Sequence, residues 1–169
     1  MKEWIKKHSI ALSLIPVVLI MVMIFCFSAQ TGDESGQMSG EITRWVVSLF
    51  VPELDNLPEA EQETICSRVG LVIRKGAHFS EYALLGFFLV LHIRQISRRT
   101  TVRLPWLWAW SIGTLYAASD EFHQSFVGGR GPAVTDVFID SCGVAAGVAL
   151  LCVILWRQIH TCNSQKKPL

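Results

Sequence analysis

Residues 75–94 read KGAHFSEYALLGFFLVLHIR, a mostly apolar stretch bounded by a lysine and an arginine. Because about 20 mostly apolar residues are enough for a helix to cross a bilayer, this stretch predicts a transmembrane helix over residues 76–93. It also carries His78 and Glu81 near its N-terminal end. An ionisable side chain is costly in hydrocarbon, so we expect the face that carries them to contact protein or water.

Three further apolar stretches lie on the two sides of this one, at about residues 9–27, 104–119 and 134–156. Residues 9–27 form a longer apolar run than the roughly 7–15 residues of a signal peptide, so we interpret them as a retained anchor. Residues 104–119 form the shortest run, about 24 Å as a helix against a hydrocarbon core of about 30 Å. The four stretches predict an all-α, polytopic membrane protein with a four-helix transmembrane bundle, in a single domain over residues 1–169.

The composition agrees with a membrane protein and argues against several other classes. Hydrophobic residues make up 51% of the chain and charged residues only 17%, whereas soluble domains carry about 25% charged residues. The formal net charge of +1 does not provide the concentrated basic surface that nucleic-acid binding needs, so we predict no nucleic-acid partner. The five cysteines include no C-x-x-C pair, and we therefore expect neither a disulfide framework nor a zinc site.

The distribution of basic residues predicts the orientation in the membrane. If the N-terminus is inside, ten of the 15 lysines and arginines fall on the cytoplasmic side, several of them in the short loop over residues 94–103. Cytoplasmic loops are enriched in lysine and arginine. We therefore predict a multi-pass protein of the cell membrane with cytoplasmic N- and C-termini.

Residues 28–75, between the first two predicted spans, are predicted to form an amphipathic helical segment outside the cytoplasm. Its apolar residues recur with the spacing of one helical face; they are Ile42, Trp45, Val46, Leu49 and Phe50. Pro52 is expected to end this helix, and Asn56 is expected to cap a second helix that continues into the second span. We interpret the first helix as one that lies on the bilayer surface, with a lid over a binding site as the alternative.

Polar residues near the outer ends of the predicted spans form the candidate site. Four residues of the second span fall within an arc of roughly 120° and share one helical face; they are Lys75, His78, Glu81 and Tyr82. On the fourth span, Asp136 and Asp140 share another face. The same face continues in Gly143 and Gly147, and small residues four apart let helices in a membrane pack closely. The acidic face is therefore predicted to point into the bundle.

The loop between the third and fourth spans, residues 120–133, adds further polar groups. Asp120 and Gln124 lie on one face that continues from the third span, and glycines surround Arg130. The fork of an arginine suits bidentate binding of a carboxylate or a phosphate. We predict a polar pocket at the outer leaflet formed by Ser28, Gln30, Lys75, His78, Glu81, Tyr82, Asp120, Glu121, Gln124, Arg130, Asp136 and Asp140.

Three interpretations of this cluster remain open. Its charges can neutralise each other and hold the helices together. They can also bind a polar or phosphorylated head group, or they can catalyse a reaction in which Arg130 stabilises an anion. The candidate catalytic residues are His78, Glu81 and Asp136. No cofactor is predicted, although Glu121, Asp136 and Asp140 offer the oxygen ligands that a divalent cation prefers.

The ordered set of these motifs resembles the VanZ-like family of bacterial membrane proteins. The matching pieces are SAQ at residues 28–30, KGAHFSEY at 75–82, DEFHQ at 120–124, Arg130, and DVFIDSCG at 136–143. Two positions depart from the family pattern. Gly128 stands where a proline is frequent, and Asp140 stands where asparagine is common, which adds negative charge to the cluster.

The resemblance implies a multi-pass protein of the bacterial cell membrane that is associated with low-level resistance to teicoplanin-type lipoglycopeptide antibiotics. It implies no agreed enzymatic activity. We therefore expect a cell-envelope protein whose polar pocket recognises an amphiphile, either a lipid, a cell-wall precursor or a lipoglycopeptide. The alternative is a membrane enzyme that acts on a lipid or cell-wall precursor head group by acid–base or metal-assisted chemistry. Membrane lipids are the expected partners.

Overall fold

A computed structural model describes residues 2–164 of the protein. The described part of the chain is entirely helical, which confirms the predicted all-α class. Its helices are α1 (Lys2–Ser28), α2 (Gly32–Phe50), α3 (Glu59–Ser97), α4 (Pro105–Gln124) and α5 (Val134–Ser164). A short 3₁₀ turn, Leu54–Asn56, lies between α2 and α3.

Three of these helices are long and apolar enough to cross a membrane, judged by length and composition. The qualifying segments are His8–Ser28 in α1, Glu59–Ser97, which is the whole of α3, and Val134–Gln158 in α5. The remaining predicted span, residues 104–119, corresponds to the 20-residue helix α4, which is not in this set. The chain is therefore an all-helical membrane protein, and its count of four spans stays a prediction.

Helices α1, α3, α4 and α5 pack into a bundle in which α3 contacts every other helix, and α5 most extensively. Ser13 of α1 lies 3.0 Å from Nδ1 of His92 on α3. At the other end of the bundle, Phe27 of α1 and Ala77 of α3 line a common groove. The two helices therefore run antiparallel. Apolar side chains fill the space between the helices, among them Ile24, Leu85, Ala117 and Val144.

The contact between α3 and α5 is a close approach of two helix backbones. A Cβ atom at Gly143 would collide with the carbonyl oxygen of Phe79, and one at Gly147 would collide with that of Ala83. Small residues allow such close packing in membrane helices, where dispersion contacts stabilise association. This contact brings the first turns of α5, with their acidic residues, against α3.

The start of α2 is fixed by its own cap and by the loop between α4 and α5. The Thr31 hydroxyl accepts a hydrogen bond from the Glu34 N–H at 3.3 Å, and the Glu34 carboxylate accepts one from the Thr31 N–H at 2.8 Å. These hydrogen bonds form a capping box and lower the pKa of Glu34. The Gly32 N–H donates to the Gly128 carbonyl oxygen at 3.0 Å. Gly129 has a φ of +74°, a left-handed conformation that favours glycine.

The two faces of α2 have different surroundings. The face toward α3 buries small side chains, which are Ser35, Thr43 and Val47. The adjacent face leaves large apolar side chains exposed, which are Met38, Ile42, Trp45 and Leu49, and Phe50 at the end of the helix is exposed as well. A helix with an uncovered apolar face is typical of an element that lies in the membrane interface, which supports the first interpretation of this segment.

Two boundaries differ from those predicted. The prediction that Asn56 caps the second helix is wrong, because α3 begins at Glu59 and its N-cap position is Pro58. A residue before proline is disfavoured in the helical region, and Leu57 is accordingly extended, with φ −78° and ψ 153°. Residues 120–124, which were expected in the loop, form the end of α4. Their side chains are therefore held on a rigid element.

Candidate functional site

The side chains of the predicted pocket gather at the end of the bundle where α1 and α4 end and α5 begins. They do not form one pocket. One group is buried between α1 and α4, a second lines a small cavity between α3, α4 and α5, and a third lines a groove between α3 and the α1–α2 region. Each group has different polar partners and a different amount of free space.

The first group joins the ends of α1 and α4. The Ser28 hydroxyl donates a hydrogen bond to Oδ2 of Asp120 at 2.7 Å. Nε2 of Gln124 donates to the same carboxylate oxygen at 3.1 Å and to Ser28 Oγ at 3.2 Å. The other oxygen of Asp120, Oδ1, has no hydrogen-bond partner. Tyr82 is fully buried and interacts electrostatically with Asp120, but its hydroxyl makes no hydrogen bond of normal geometry.

The second group lines a small cavity, which we call the inner cavity. Its lining residues are Lys75, His78, Glu121, Gln124, Asp136, Ile139 and Asp140. Lys75 and Asp136 form a salt bridge. Oε1 of Glu121 accepts a hydrogen bond from the Ala133 N–H at 2.6 Å. The cavity measures about 20 Å³, which is room for about one water molecule. It is therefore too small for a lipid head group.

The third group lines a larger space, which we call the outer groove. Its polar lining consists of Gln30, Ser35, Ser39, Arg74, His78, Glu81 and Arg130. Its apolar lining consists of Phe27, Met38, Ile42, Ile73 and Ala77. The groove measures about 160 Å³. His78 lines both cavities, so the predicted residues of α3 are divided between two adjacent faces of that helix.

Arg130 is held in the outer groove by the loop between α4 and α5. Its Nη2 donates a hydrogen bond to the Phe27 carbonyl oxygen at 3.1 Å, and its backbone N–H donates to the Val127 carbonyl oxygen at 3.3 Å. Burial, followed by the nearby positive charge of Arg74, lowers the pKa of Arg130. Its Nε is buried without a hydrogen-bond partner. The guanidinium therefore keeps a donor that no described protein group uses.

The predicted pocket contains most of the buried polar atoms that lack a hydrogen-bond partner. In the described part of the chain there are eight such side-chain atoms, and seven of them belong to predicted pocket residues. Those residues are Gln30, His78, Glu81, Tyr82, Asp120, Arg130 and Asp140. Buried polar groups are nearly always paired with protein or with water. A cluster that served only to neutralise its own charges would pair these groups with one another.

One protein-family model matches the chain over most of its length. The VanZ/LLP1 model aligns with residues 13–156, which include every residue of the predicted pocket. The chain belongs to the VanZ/LLP1 family. This confirms the resemblance to VanZ-like proteins, and it agrees with the membrane-span character of the helices. No curated protein and no solved structure matches the chain.

Sequence reasoning missed part of this VanZ/LLP1 site. Arg74 was counted only as an outer basic residue, although it lies one and two helical turns before His78 and Glu81 and shares their face. The contribution of α2 was missed as well. Ser35 and Ser39 are four residues apart and line the outer groove. That spacing was a usable signal, but serine carries too little chemical information to be singled out.

A divalent-cation site is not supported at the proposed ligands. In the part of the chain that the structure describes, no three histidine, cysteine, aspartate or glutamate side chains are arranged to hold a metal ion. Of the three carboxylates considered, Asp136 is paired with Lys75 and Glu121 binds the Ala133 N–H.

Proposed function

We propose that this VanZ/LLP1 protein recognises an amphiphile at the outer leaflet of the cell membrane, with the head group of the ligand in the outer groove. The observation that carries the proposal is the lining of that groove, in which charged and polar side chains stand beside apolar ones. Ligand sites typically combine apolar walls with a few placed polar groups. A ligand with a polar head and a hydrocarbon chain uses both parts of this lining.

The polar part of the groove has unused capacity for a head group. Oε2 of Glu81, Nδ1 of His78 and Nε of Arg130 are buried and have no hydrogen-bond partner. Leaving a buried polar group unpaired costs about 1–3 kcal/mol. Because these atoms are buried, the three side chains must turn toward the groove before a head group can reach them. A head group that then pairs with these atoms removes that cost, which favours a polar ligand.

The apolar part of the groove adjoins the exposed apolar face of α2. Met38 and Ile42 belong both to the groove lining and to that face, which continues in Trp45 and Leu49. An apolar face of this kind lies in contact with the acyl region of a bilayer. A ligand can therefore keep its hydrocarbon chain among lipids while its head group occupies the groove.

The proposed orientation places this end of the bundle outside the cell, since most basic residues flank the opposite ends of the helices. The N- and C-termini are then cytoplasmic. A lipid, a cell-wall precursor and a lipoglycopeptide all combine a polar body with a hydrocarbon chain. The resemblance to VanZ-like proteins supports teicoplanin-type lipoglycopeptide resistance as the cellular effect to test.

The test is teicoplanin susceptibility of cells that express the wild type, His78→Ala or Glu81→Gln, with the membrane abundance of each protein quantified. The matched control is Glu63→Gln, which makes the same change on an exposed part of α3. We expect the two groove variants to lose protection at normal abundance and the control to retain it. No strain should be protected against a glycopeptide that lacks a lipid tail.

Two results would count against this function. If protection falls only in proportion to abundance, the polar groups chiefly stabilise the bundle. If the wild type itself gives no protection, the antibiotic effect implied by the family resemblance does not apply to this chain. The amphiphile proposal then depends on direct binding measurements with the purified protein.

A second candidate function is a membrane enzyme that acts on a lipid or cell-wall precursor head group. It is favoured by the presence in one groove of a histidine and a carboxyl with unpaired atoms next to a guanidinium, which could serve as base and anion stabiliser. Glu81→Gln separates the two functions, because it preserves shape and removes the carboxylate. An enzyme loses turnover of the head group completely, whereas a binding protein retains weakened affinity.

A further inference from the structure

Two arginines line the outer groove, and neither forms a salt bridge with a carboxylate of the described residues. Arg74 comes from α3 and Arg130 from the loop between α4 and α5, and both line the groove. They interact electrostatically with each other, and both interact with His78. The salt bridge of the neighbouring cavity, between Lys75 and Asp136, involves neither of them. Two guanidinium groups that line one space repel each other, and an anion between them relieves that repulsion.

Only one of the protein's carboxyls lines the outer groove. The groove lining contains two guanidiniums and one carboxyl, Glu81, which interacts with Arg130. Asp120 and Glu121 also interact with Arg130 from outside the groove. Asp120 is engaged with Ser28 and Gln124, and Glu121 is engaged with the Ala133 N–H. These hydrogen bonds hold both carboxyls outside the groove without cancelling their charge, so an anionic ligand is favoured at the groove lining itself, where two guanidiniums face one carboxyl.

The uncharged polar lining suits an oxyanion. Ser35 contributes a hydroxyl at the α2 side of the groove. Ser39 lines the same space, but its hydroxyl donates to the Ser35 carbonyl oxygen at 2.9 Å. The planar fork of arginine binds phosphate through two parallel hydrogen bonds, which a neutral head group cannot match. Two forks from separate elements can contact different oxygens of one phosphate.

We propose that the head group is a phosphate held between Arg74 and Arg130, and that the ligand is a phosphate-headed lipid of the bilayer. This inference rests on the proposed function. The choice of a lipid over free phosphate comes from the apolar lining. Phe27, Met38, Ile42, Ile73 and Ala77 line the same groove. Inorganic phosphate would leave these side chains without a partner, whereas a lipid chain covers them.

The test is equilibrium binding of a fluorescent phosphatidic acid to the purified full chain in uncharged detergent, with a fluorescent diacylglycerol of equal chain length as the neutral probe. The variants are Arg74→Gln and Arg130→Gln. The matched control is Arg68→Gln, which removes the same charge from an exposed position on α3. Inorganic phosphate is added as a competitor. Thermal unfolding of each variant identifies any loss of folded protein, and Arg130→Lys retains the charge at that position without the fork.

We expect the wild type to bind phosphatidic acid at least tenfold more tightly than diacylglycerol. Each of the two glutamine variants should weaken phosphatidic acid binding about tenfold or more and leave diacylglycerol binding unchanged. Arg130→Lys should fall between the wild type and Arg130→Gln. Arg68→Gln should bind phosphatidic acid within about twofold of the wild type.

The outcomes separate this inference from the proposed function. Equal binding of both lipids, or loss of affinity in Arg68→Gln as large as in the groove variants, overturns the phosphate site and leaves amphiphile binding intact. Displacement of phosphatidic acid by inorganic phosphate at matching concentration overturns the choice of a lipid. Binding of neither lipid overturns this inference, whereas the proposed function is contradicted only by its own susceptibility test.

Discussion

The inner cavity and the outer groove share one histidine and little else. Around the inner cavity, Lys75 and Asp136 form a salt bridge and a backbone N–H binds Glu121, while one oxygen of Asp140 is unpaired; about 20 Å³ remains free. Around the outer groove, polar atoms of Glu81 and Arg130 are unpaired, and about 160 Å³ remains free. The two spaces lie on adjacent faces of α3 in the same polar end of the bundle.

This difference shows that a cluster of ionisable residues in a membrane protein can serve two purposes at once. Where the groups pair with each other, they join helices, as Lys75 and Asp136 join α3 to α5. Where they remain unpaired beside an apolar surface, they can bind a ligand. The three interpretations of the sequence are therefore not exclusive, because the structural one fits the inner cavity and the binding one fits the outer groove.

The largest expected effect comes from separating the helices on which both spaces depend. Gly147→Val places a side chain where a Cβ atom already collides with the Ala83 carbonyl oxygen. Because backbone must move on both helices, we expect a loss of several kcal/mol and little folded protein. Ala146→Val, at an exposed neighbouring position, is the control and should fold normally. Membrane abundance and thermal unfolding measure both. Normal folding of Gly147→Val would show that the α3–α5 contact is looser than described.

Two consecutive residues give the sharpest comparison of the spaces. Lys75→Gln leaves Asp136 without its partner, and since both side chains are about a third exposed (34% and 37%), we expect a stability loss of at most about 1 kcal/mol. Lipid binding should stay within about twofold of the wild type. Arg74→Gln should do the reverse, with lowered phosphatidic acid affinity and unchanged unfolding.

The measurements for this pair are unfolding in detergent and lipid affinity on the same samples. If Lys75→Gln weakens lipid binding as much as Arg74→Gln does, the two spaces act as a single site. Asp136→Asn extends the test from the other side of the salt bridge. Because it breaks the same salt bridge, it should also cost at most about 1 kcal/mol of stability and leave lipid binding within about twofold of the wild type.

The smallest expected effect concerns α2, which forms a wall of the outer groove and none of the inner cavity. The capping hydrogen bonds lower the pKa of Glu34 in the folded protein. They therefore stabilise the start of α2 fully above the unfolded pKa of about 4.3, and this stabilisation is lost as pH falls through the folded pKa. Compared with the wild type, Glu34→Gln should speed amide hydrogen exchange in the first turn of α2 at pH 7. It should have no effect below the folded pKa of Glu34. Glu41→Gln, on an exposed part of α2, is the control. Equal exchange rates in both variants would show that the capping hydrogen bonds do not stabilise the first turn of α2.

Much of the fold follows from the sequence because hydropathy and helical periodicity are local properties. The apolar stretch before Arg94 predicted the span within α3, and the pattern around Trp45 predicted the exposed apolar face of α2. The start of α3 was misplaced because Pro58 overrides the capping tendency of Asn56. The count of spans is open for α4, since its apolar run is short and its end carries buried polar residues such as Asp120.

The site was only partly predictable, for a geometric reason. Helical spacing identifies which residues of α3 share a broad face. It does not identify which neighbouring helix packs against each part of that face. His78 and Glu81 were therefore assigned to one pocket with Lys75, whereas the structure divides them between two spaces. Arg74 was missed because its role depends on Arg130, more than 50 residues later in the chain.

The central claim is that the outer groove is the binding site for an amphiphile, and filling the groove tests it most directly. Ala77 is part of the groove lining, so Ala77→Phe reduces the free space without removing any polar group. Ala118→Phe, at an exposed position on α4 outside the groove, is the matched control. The measurement is phosphatidic acid affinity of the two folded variants in detergent. We predict at least a tenfold loss for Ala77→Phe and no change for Ala118→Phe. Unchanged affinity in Ala77→Phe would contradict the claim.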